Sequence, residues 1–399
     1  MKTLFGRGSI IGCAIVCVAL GVRAELTPDQ QALEPANIEF AYNLLREVAK
    51  EQPGKNVFIS PYSASTILQL ACSGAAGTTK KEMEQVLGTS DLSSSLIYEF
   101  NHDLDDSTQG GNNNMVINSG NAIWYQNGLT LKPEFLESNR DIYKATVKGL
   151  DFNDPASVGV VNSWVNEKTH GKIPGILSGP IEPDTSIFLA NAVYFKGAWM
   201  HPFAKEATKP ESFHLGRWRS KQVPMMSKTS EFLYLQEADF QAVVLPYRDP
   251  SFEMDIFLPG AASNPGKTLG ELIQKERQGW AFESCRGTLM LPTFKLNDEL
   301  DLKLPLKNLG ILRAFATNDA DFSAMCSERV FISQATQKTF VEVNEEGTEA
   351  AATSFIVCSS RGDRPKPFEM TVDRPFVFII RGKGIILFMG IVYDPAVAN

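Results

Sequence analysis

The sequence predicts an α+β fold, and three observations carry that reading. Apolar residues at helical spacing open the chain at Ile38, Ala41, Leu44, Leu45 and Val48. Short strand-like runs, alternating or wholly apolar, recur at residues 117–125, 223–226, 242–247, 252–258 and 288–295. Between these elements lie neither a linker nor an internal repeat. Roughly 375 residues, enough by length for two or three domains, therefore read as one unit.

Residues 1–24 stand apart. Lys2 and Arg7, an apolar run over residues 10–20 and Val22-Arg23-Ala24 as a small-residue cleavage site read as a secretory signal peptide. The run is too short to span a bilayer. Its removal leaves residues 25–399 as a single domain and takes away three basic and no acidic residues. The net charge then moves from −8 to −11, with 35 basic against 46 acidic residues. So acidic a body argues against nucleic acid and membrane surfaces as partners.

Cys13 and Cys17 leave with the signal. The remaining Cys72, Cys285, Cys326 and Cys358 are too few and too scattered for a disulfide framework, and the first three are expected as buried free thiols. No Asn-x-Ser/Thr sequon occurs.

The elements follow in order. The opening helix ends near Pro53-Gly54, an apolar run follows at 67–71, and the segment 80–87 reads as another helix. Gln109-Gly-Gly-Asn-Asn-Asn114 is a surface loop. The segment 117–125 alternates as a strand. Toward the C-terminus, Val341 and Val343 alternate with Glu342 and Asn344, a strand that Gly347 interrupts.

From Thr348 to Thr353 every side chain but Glu349 is small, so this backbone could slide between two strands already in place. In a sheet, Thr348, Ala350, Ala352 and Ser354 would share one face. Glu349, Ala351, Thr353 and Phe355 would share the other, with the one charge toward water. Taken alone the stretch reads as an Ala-rich helix opened by Thr348. Against that stand the β-branched and aromatic Thr353, Phe355, Ile356 and Val357, and a polar, Pro-rich tail over 359–367 that cannot be helical throughout.

Glu345-Glu346-Gly347-Thr348-Glu349-Ala350-Ala351-Ala352-Thr353 resembles the hinge of the inhibitory serpins, a family of serine protease inhibitors. The resemblance covers nearly the whole mature chain. Residues 56–63 look like the family's strand and following helix, 161–173 like its helix crossing the central sheet, and 188–199 like a central strand. Residues 300–315 look like a helix and turn, and 370–380 with 387–390 like the closing strands.

The resemblance implies a serpin fold of three β-sheets and about eight to nine helices, with an exposed reactive-centre loop over about 345–367. It places Ser60, Ser63, Asn191, Trp199 and Gln337 at the opening through which the loop enters the sheet. At Gln337 the family usually carries a histidine bonded to the equivalent of Asn191. Glutamine donates and accepts as well, without a protonation switch.

The family's scissile residue lies seventeen positions along with Glu345 counted as one, which is Arg361, so the resemblance puts the reactive bond at Arg361–Gly362. Chemistry agrees, because a trypsin-like protease cuts after Arg or Lys and poorly before proline. Arg364 precedes Pro365 and Lys366 precedes Pro367.

The implied function is inhibition of a trypsin-like serine protease, which attacks Arg361 and is held as a covalent acyl complex while the loop inserts. The chain would be a secreted monomer and no enzyme, without catalytic groups, cofactor or metal of its own.

Alternatives come from other residues. Arg361-Gly362-Asp363 is an adhesion tripeptide of the kind integrins bind. A non-inhibitory serpin, a carrier or chaperone, would carry a bulkier hinge. Lys205, Lys209, His214, Arg217, Arg219 and Lys221 form a basic segment that could contact a sulfated polysaccharide, or simply a solvated hairpin. Gly260 to Thr268 mimics a phosphate-binding loop but has five intervening residues where that loop needs four, so it reads as a strand-to-helix turn. Neither Gly-x-Ser-x-Gly nor His-Glu-x-x-His nor Cys-x-x-Cys occurs. The four histidines, His102, His170, His201 and His214, read as surface or packing residues.

Overall fold

The structure, a computed structural model, describes residues 28–92, 115–182, 184–348 and 366–396. The opening periodicity becomes α1 (Pro28–Glu51), which buries Ala41, Leu44, Leu45 and Val48 against the core. The turn after it leads into β1 (Val57–Ile59) and at once into α2 (Pro61–Ser73). Ser60 caps α2, its hydroxyl accepting from the Ser63 N–H at 3.3 Å. Pro61 takes the first helical position, where a missing N–H costs nothing.

The first sheet has the order β10-β11-β4-β2-β3. It comprises β10 (Phe294–Asp301), β11 (Ile332–Val343), β4 (Ile187–Ala198), β2 (Met115–Gln126) and β3 (Thr146–Leu150). At its centre β11 and β4 run parallel, from Ile332 opposite Ile187 to Phe340 opposite Tyr194. Their outer neighbours, β10 on β11 and β2 on β4, are antiparallel.

Both faces of β4 are covered, which is why it reads as a continuous apolar run. Phe188, Ala190, Ala192 and Tyr194 pack with Val161, Trp164 and Val165 of α5 (Ala156–Lys168). On the other face Leu189 joins α1 and α2, while Val193 and Phe195 join the second sheet.

The second sheet runs β1-β15-β14-β8-β7-β6-β9-β13, with β5 (Lys209–Gly216) on β6. Its other members are β6 (Arg219–Gln236), β7 (Phe240–Pro246), β8 (Phe252–Pro259), β9 (Glu283–Pro292), β13 (Phe368–Thr371), β14 (Phe376–Gly382) and β15 (Ile385–Val392). The strand read at 223–226 is one part of the 18-residue β6. The N-terminal half of β6 pairs with β5, its middle with β9 and its end with β7, so one strand serves two layers. Among the described residues the three sheets implied by the resemblance appear as two hydrogen-bonded sheets, the larger being two joined through β6. Seven α-helices lie among the described residues, the others being α3 (Gly77–Leu87), α4 (Pro133–Tyr143), α6 (Pro265–Gln278) and α7 (Lys303–Leu309).

Two segments are bounded differently from the sequence reading, and a third falls as expected. The helix expected over 161–173 begins earlier and stops at Lys168, because His170 and Gly171 take φ of 49° and 79°. The chain then turns back, and the Asn162 side-chain oxygen accepts from the N–H groups of Ile176 and Leu177, both at 2.9 Å. Within 300–315, Leu300 belongs to β10 and the helix is confined to α7. The phosphate-loop mimic is a turn: the Asn264 side chain caps α6 by accepting from the Lys267 N–H at 3.0 Å. The Lys267 ammonium is already paired with Asp239 and Glu271.

One buried ionic cluster ties four elements together. The Arg381 guanidinium of β14 donates to Asp255 of β8 at 2.7 Å and to Glu276 of α6, which also accepts from Tyr42 of α1. Removing one partner of such a cluster strands a charge in the interior, at a cost of about 3–5 kcal/mol.

Candidate functional site

Two groups of residues meet along the line between β11 and β4. The first closes it. Gln337 of β11 lies level with Asn191 of β4, and Asn191 level with Asn121 of β2. The Gln337 amide donates to Asn191 Oδ1 at 2.7 Å and to the Ser60 carbonyl at 3.0 Å. Its oxygen accepts from the Ser60 N–H at 2.9 Å. The Asn191 amide in turn donates to Asn121 Oδ1 at 2.8 Å and to Ser63 Oγ, and Ser60 Oγ donates to the Leu387 carbonyl at 2.9 Å. Ser60, Ser63, Asn191 and Gln337 are all buried.

The groups making these bonds are amides, hydroxyls and backbone, none of which titrates near neutrality. The clasp therefore spans β11, β4, β2, α2 and β15 with neutral hydrogen bonds, and the glutamine makes the bond to Asn191.

The second group lies at the far end of β4. After Phe340, β11 leaves β4 and its last residues stay on β10, with Val343 opposite Phe294. The chain turns at Asn344 and comes back as β12 (Gly347–Thr348), antiparallel to β4, with Gly347 opposite Ala198 and Thr348 opposite Gly197. The other edge of β4 is taken at this level, since Met115 of β2 also stands opposite Gly197. Gly347 and Thr348 consequently sit on the side that faces β11, where β11 and β4 have parted.

Gly347 is required there for two reasons. Its φ is +145°, and a Cβ would lie 2.3 Å from the Gly197 carbonyl oxygen and 2.7 Å from Ala198 Cα. The residue read as a source of freedom is thus also a point of close backbone approach.

Around this turn the chain is anchored at several points. Trp199 donates from its indole to the Asn344 carbonyl at 3.0 Å and from its backbone to the Glu346 carbonyl at 3.1 Å. The Phe203 N–H donates to the Glu345 carbonyl at 2.8 Å, and Thr208 donates to the Glu345 carboxylate at 2.6 Å. The Lys205 ammonium meets Glu346 at 2.5 Å, and that bond raises the lysine's pKa. Thr348 is buried with its hydroxyl 3.0 Å from that of Tyr247, whose ring stacks on Trp199.

Of the residues singled out from sequence, Ser60, Ser63, Asn191 and Gln337 come together, while Trp199 stands with Glu345, Glu346, Gly347 and Thr348. Glu349, Ala350, Ala351, Ala352, Thr353, Cys358, Arg361, Gly362 and Asp363 lie outside the described residues, as do residues 1–24 and 109–114. Sequence reasoning missed Tyr247, Phe203 and Thr208. Each acts through a partner more than a hundred positions away, and no local spacing marks them.

The basic segment is divided. Lys205 is engaged by Glu346, Lys221 by Asp394, and His214 stands 4.0 Å from Asp373. Arg217 lies over the exposed Trp218 ring, and Lys209 and Arg219 are exposed. Cys72, Cys285 and Cys326 are buried free thiols, and burial, with Glu84 adding to it, pushes Cys72 up to about 12, so that thiol is no nucleophile.

The sequence model of one family, described as serpin (serine protease inhibitor), matches residues 35–395. The chain belongs to the serpin family. Iripin-2 of Ixodes ricinus is 34% identical over 390 residues, covering 96% of this chain and 95% of its own. Plasminogen activator inhibitor 1 of Bos taurus is 31% identical over 399 residues, covering 95% and 98%. Among solved structures, Serpin48 of the insect Tenebrio molitor superposes with a TM-score of 0.80 at 29% identity, covering 92% of this serpin and 99% of that chain.

Proposed function

We propose that this serpin is a secreted inhibitor of trypsin-like serine proteases that acts as a suicide substrate at Arg361–Gly362. Residues 25–399 are the working domain, and 345–367 its reactive-centre loop. The observation that carries the reading is the pairing of a small-residue hinge, Gly347 to Thr353, with a cleft whose mouth already holds Gly347 and Thr348.

The energetics favour closure. A strand entering between β11 and β4 replaces a parallel pairing with two antiparallel ones, and antiparallel pairs are the more stable per residue. About ten inserted residues at roughly 0.5–1.5 kcal/mol net per hydrogen bond release on the order of 10 kcal/mol. That is comparable with the whole stability of a typical fold, about 5–15 kcal/mol. If the protease serine is still esterified to Arg361 when the loop moves, the enzyme is carried with it and its catalytic geometry is lost. The serpin supplies a substrate bond and stored free energy, and no catalytic group.

A panel of trypsin-like proteases tests this. The expected result is a complex that survives denaturing electrophoresis and a released fragment beginning at Gly362. Plain turnover with every enzyme would remove the inhibitory reading and leave a carrier or chaperone. Integrin binding through Arg361-Gly362-Asp363 would be abolished by the same cut. A sulfated polysaccharide, if it binds, would rely on Lys209, Arg217 and Arg219, since the other basic residues of that segment stand beside acidic partners.

A further inference from the structure

The geometry points to Tyr247 as the positioning residue that seats the hinge in the sheet before any bond is cut, through a hydrogen bond to the Thr348 hydroxyl. This deepens the inhibitory reading and rests on it for its consequence. It names the side chain that biases the loop toward insertion, and so toward trapping over turnover.

The ring of Tyr247 has one available direction. It follows the end of β7, bridges to Trp199, stacks on the Trp199 indole at 4.7 Å with 15° between planes, and meets Phe195 edge-on at 5.2 Å. Trp199 is itself held by its two bonds to the returning chain, at Asn344 and Glu346. The Tyr247 hydroxyl thus projects from a fixed aromatic stack to a point 3.0 Å from Thr348 Oγ1. Tyr247 and Thr348 are both fully buried, and among the described residues Thr348 is the partner this hydroxyl has.

Burial pushes the tyrosine hydroxyl well above its ordinary range, so it stays neutral and needs a hydrogen-bond partner. If Thr348 left the cleft, a buried hydroxyl would lose that partner. The seat therefore favours the occupied position. Gly347 permits the close approach and Thr348 supplies the matching group, so the costly first pairing of the entering strand is formed in advance. A hydroxyl at position 348 is the chemical requirement: Thr or Ser meets it, Val does not.

The test uses the full mature chain as wild type, Tyr247→Phe, Thr348→Val, Thr348→Ser and the Tyr247→Phe/Thr348→Val double variant. Hydrogen–deuterium exchange of the uncut proteins reads the seat directly. In wild type the amides of Trp199, Gly347 and Thr348 are expected to be protected. Each single deletion of a hydroxyl should lower that protection about tenfold, the worth of one hydrogen bond of ordinary strength. The double variant should lose no more than either single one, and Thr348→Ser should keep the wild-type value.

With an inhibited protease, the two deletions should raise the ratio of cleaved serpin to covalent complex several-fold while the rate of first cleavage stays within about twofold. Exchange unchanged by either deletion, or additive losses in the double variant, would overturn the seat. Thr348→Val, at the start of the loop, keeps the test valid should Tyr247→Phe unfold. If wild type forms no covalent complex with any protease, the inhibitory reading fails, and the exchange measurement still decides the seat on its own.

Discussion

The two ends of the β11–β4 line are held by different chemistry. At the closed end, Gln337, Asn191, Ser60 and Ser63 join strands to a helix start through neutral side-chain bonds, and each removal leaves a buried polar partner. At the open end the strands have already parted, and the contacts belong to the returning chain: backbone carbonyls on Trp199 and Phe203, two anchored carboxylates and one hydroxyl pair. Under the proposed mechanism the first arrangement would resist opening and the second would begin filling. Damage at the closed end should lower the stability of the uncut protein, and damage at the open end should change the fate of the cut one.

The largest effect is expected from Thr348→Arg. A guanidinium cannot enter the site beside Tyr247 without an unpaired buried charge, so insertion should stall while cleavage at Arg361 continues. Turnover relative to trapping should rise by about 100-fold or more, since several kcal/mol are at stake. Denaturing electrophoresis reads this as loss of the stable complex, and persistence of that complex would separate insertion from inhibition.

Asn191→Ala should act at the other end. Gln337 and Ser63 would each lose a buried partner, at a cost of about 2–4 kcal/mol in urea unfolding of the uncut protein. Trapping should survive. If stability held and trapping vanished, the division between the two ends would be wrong.

Gln337→His would sharpen the contrast by adding a switch. A buried imidazole has its pKa pulled below the unfolded value of about 6.5. The folded state then favours the neutral ring, so stability is full above about pH 6.5 and is lost as pH falls through the folded pKa. Each unit of separation is worth about 1.4 kcal/mol. Urea midpoints at pH 5 and pH 8 should diverge for the variant relative to wild type, and equal differences at both pH values would contradict the neutral-clasp account.

The smallest effect is assigned to Lys205→Ala. Its bond to Glu346 lies on the surface and is screened by salt, so the ratio of cleaved serpin to complex should change by less than about twofold. A larger change would move weight from the hydroxyl pair to the charged anchor.

Much of this molecule was legible in the chain itself. Helical spacing located α1, and strand-like runs located β7, whose apolar stretch fits a strand covered on both faces, and β8, whose first residues alternate. The hinge and the clasp residues could be picked out through their resemblance to a family, residue by residue. Less visible was the full length of the 18-residue β6, since Arg219 to Gln222 and Ser227 to Glu231 on either side of the strand-like 223–226 are polar throughout. Helix α5 ends at Lys168 because His170 and Gly171 take positive φ, and Asn162 then holds the returning chain at Ile176 and Leu177, a contact that periodicity does not register.

Local order in the chain was enough to specify helices, strands and a stretch of small side chains after Gly347, because propensity and side-chain size act over a few neighbouring positions. Where that hinge rests was settled by contacts across the fold. Tyr247 meets Thr348 across 101 positions, Gln337 meets Ser60 across 277, and Gly347 is pressed against β4. Such pairings exist because two sheets and a helix converge on one line, and their free energy depends on which groups burial leaves without water.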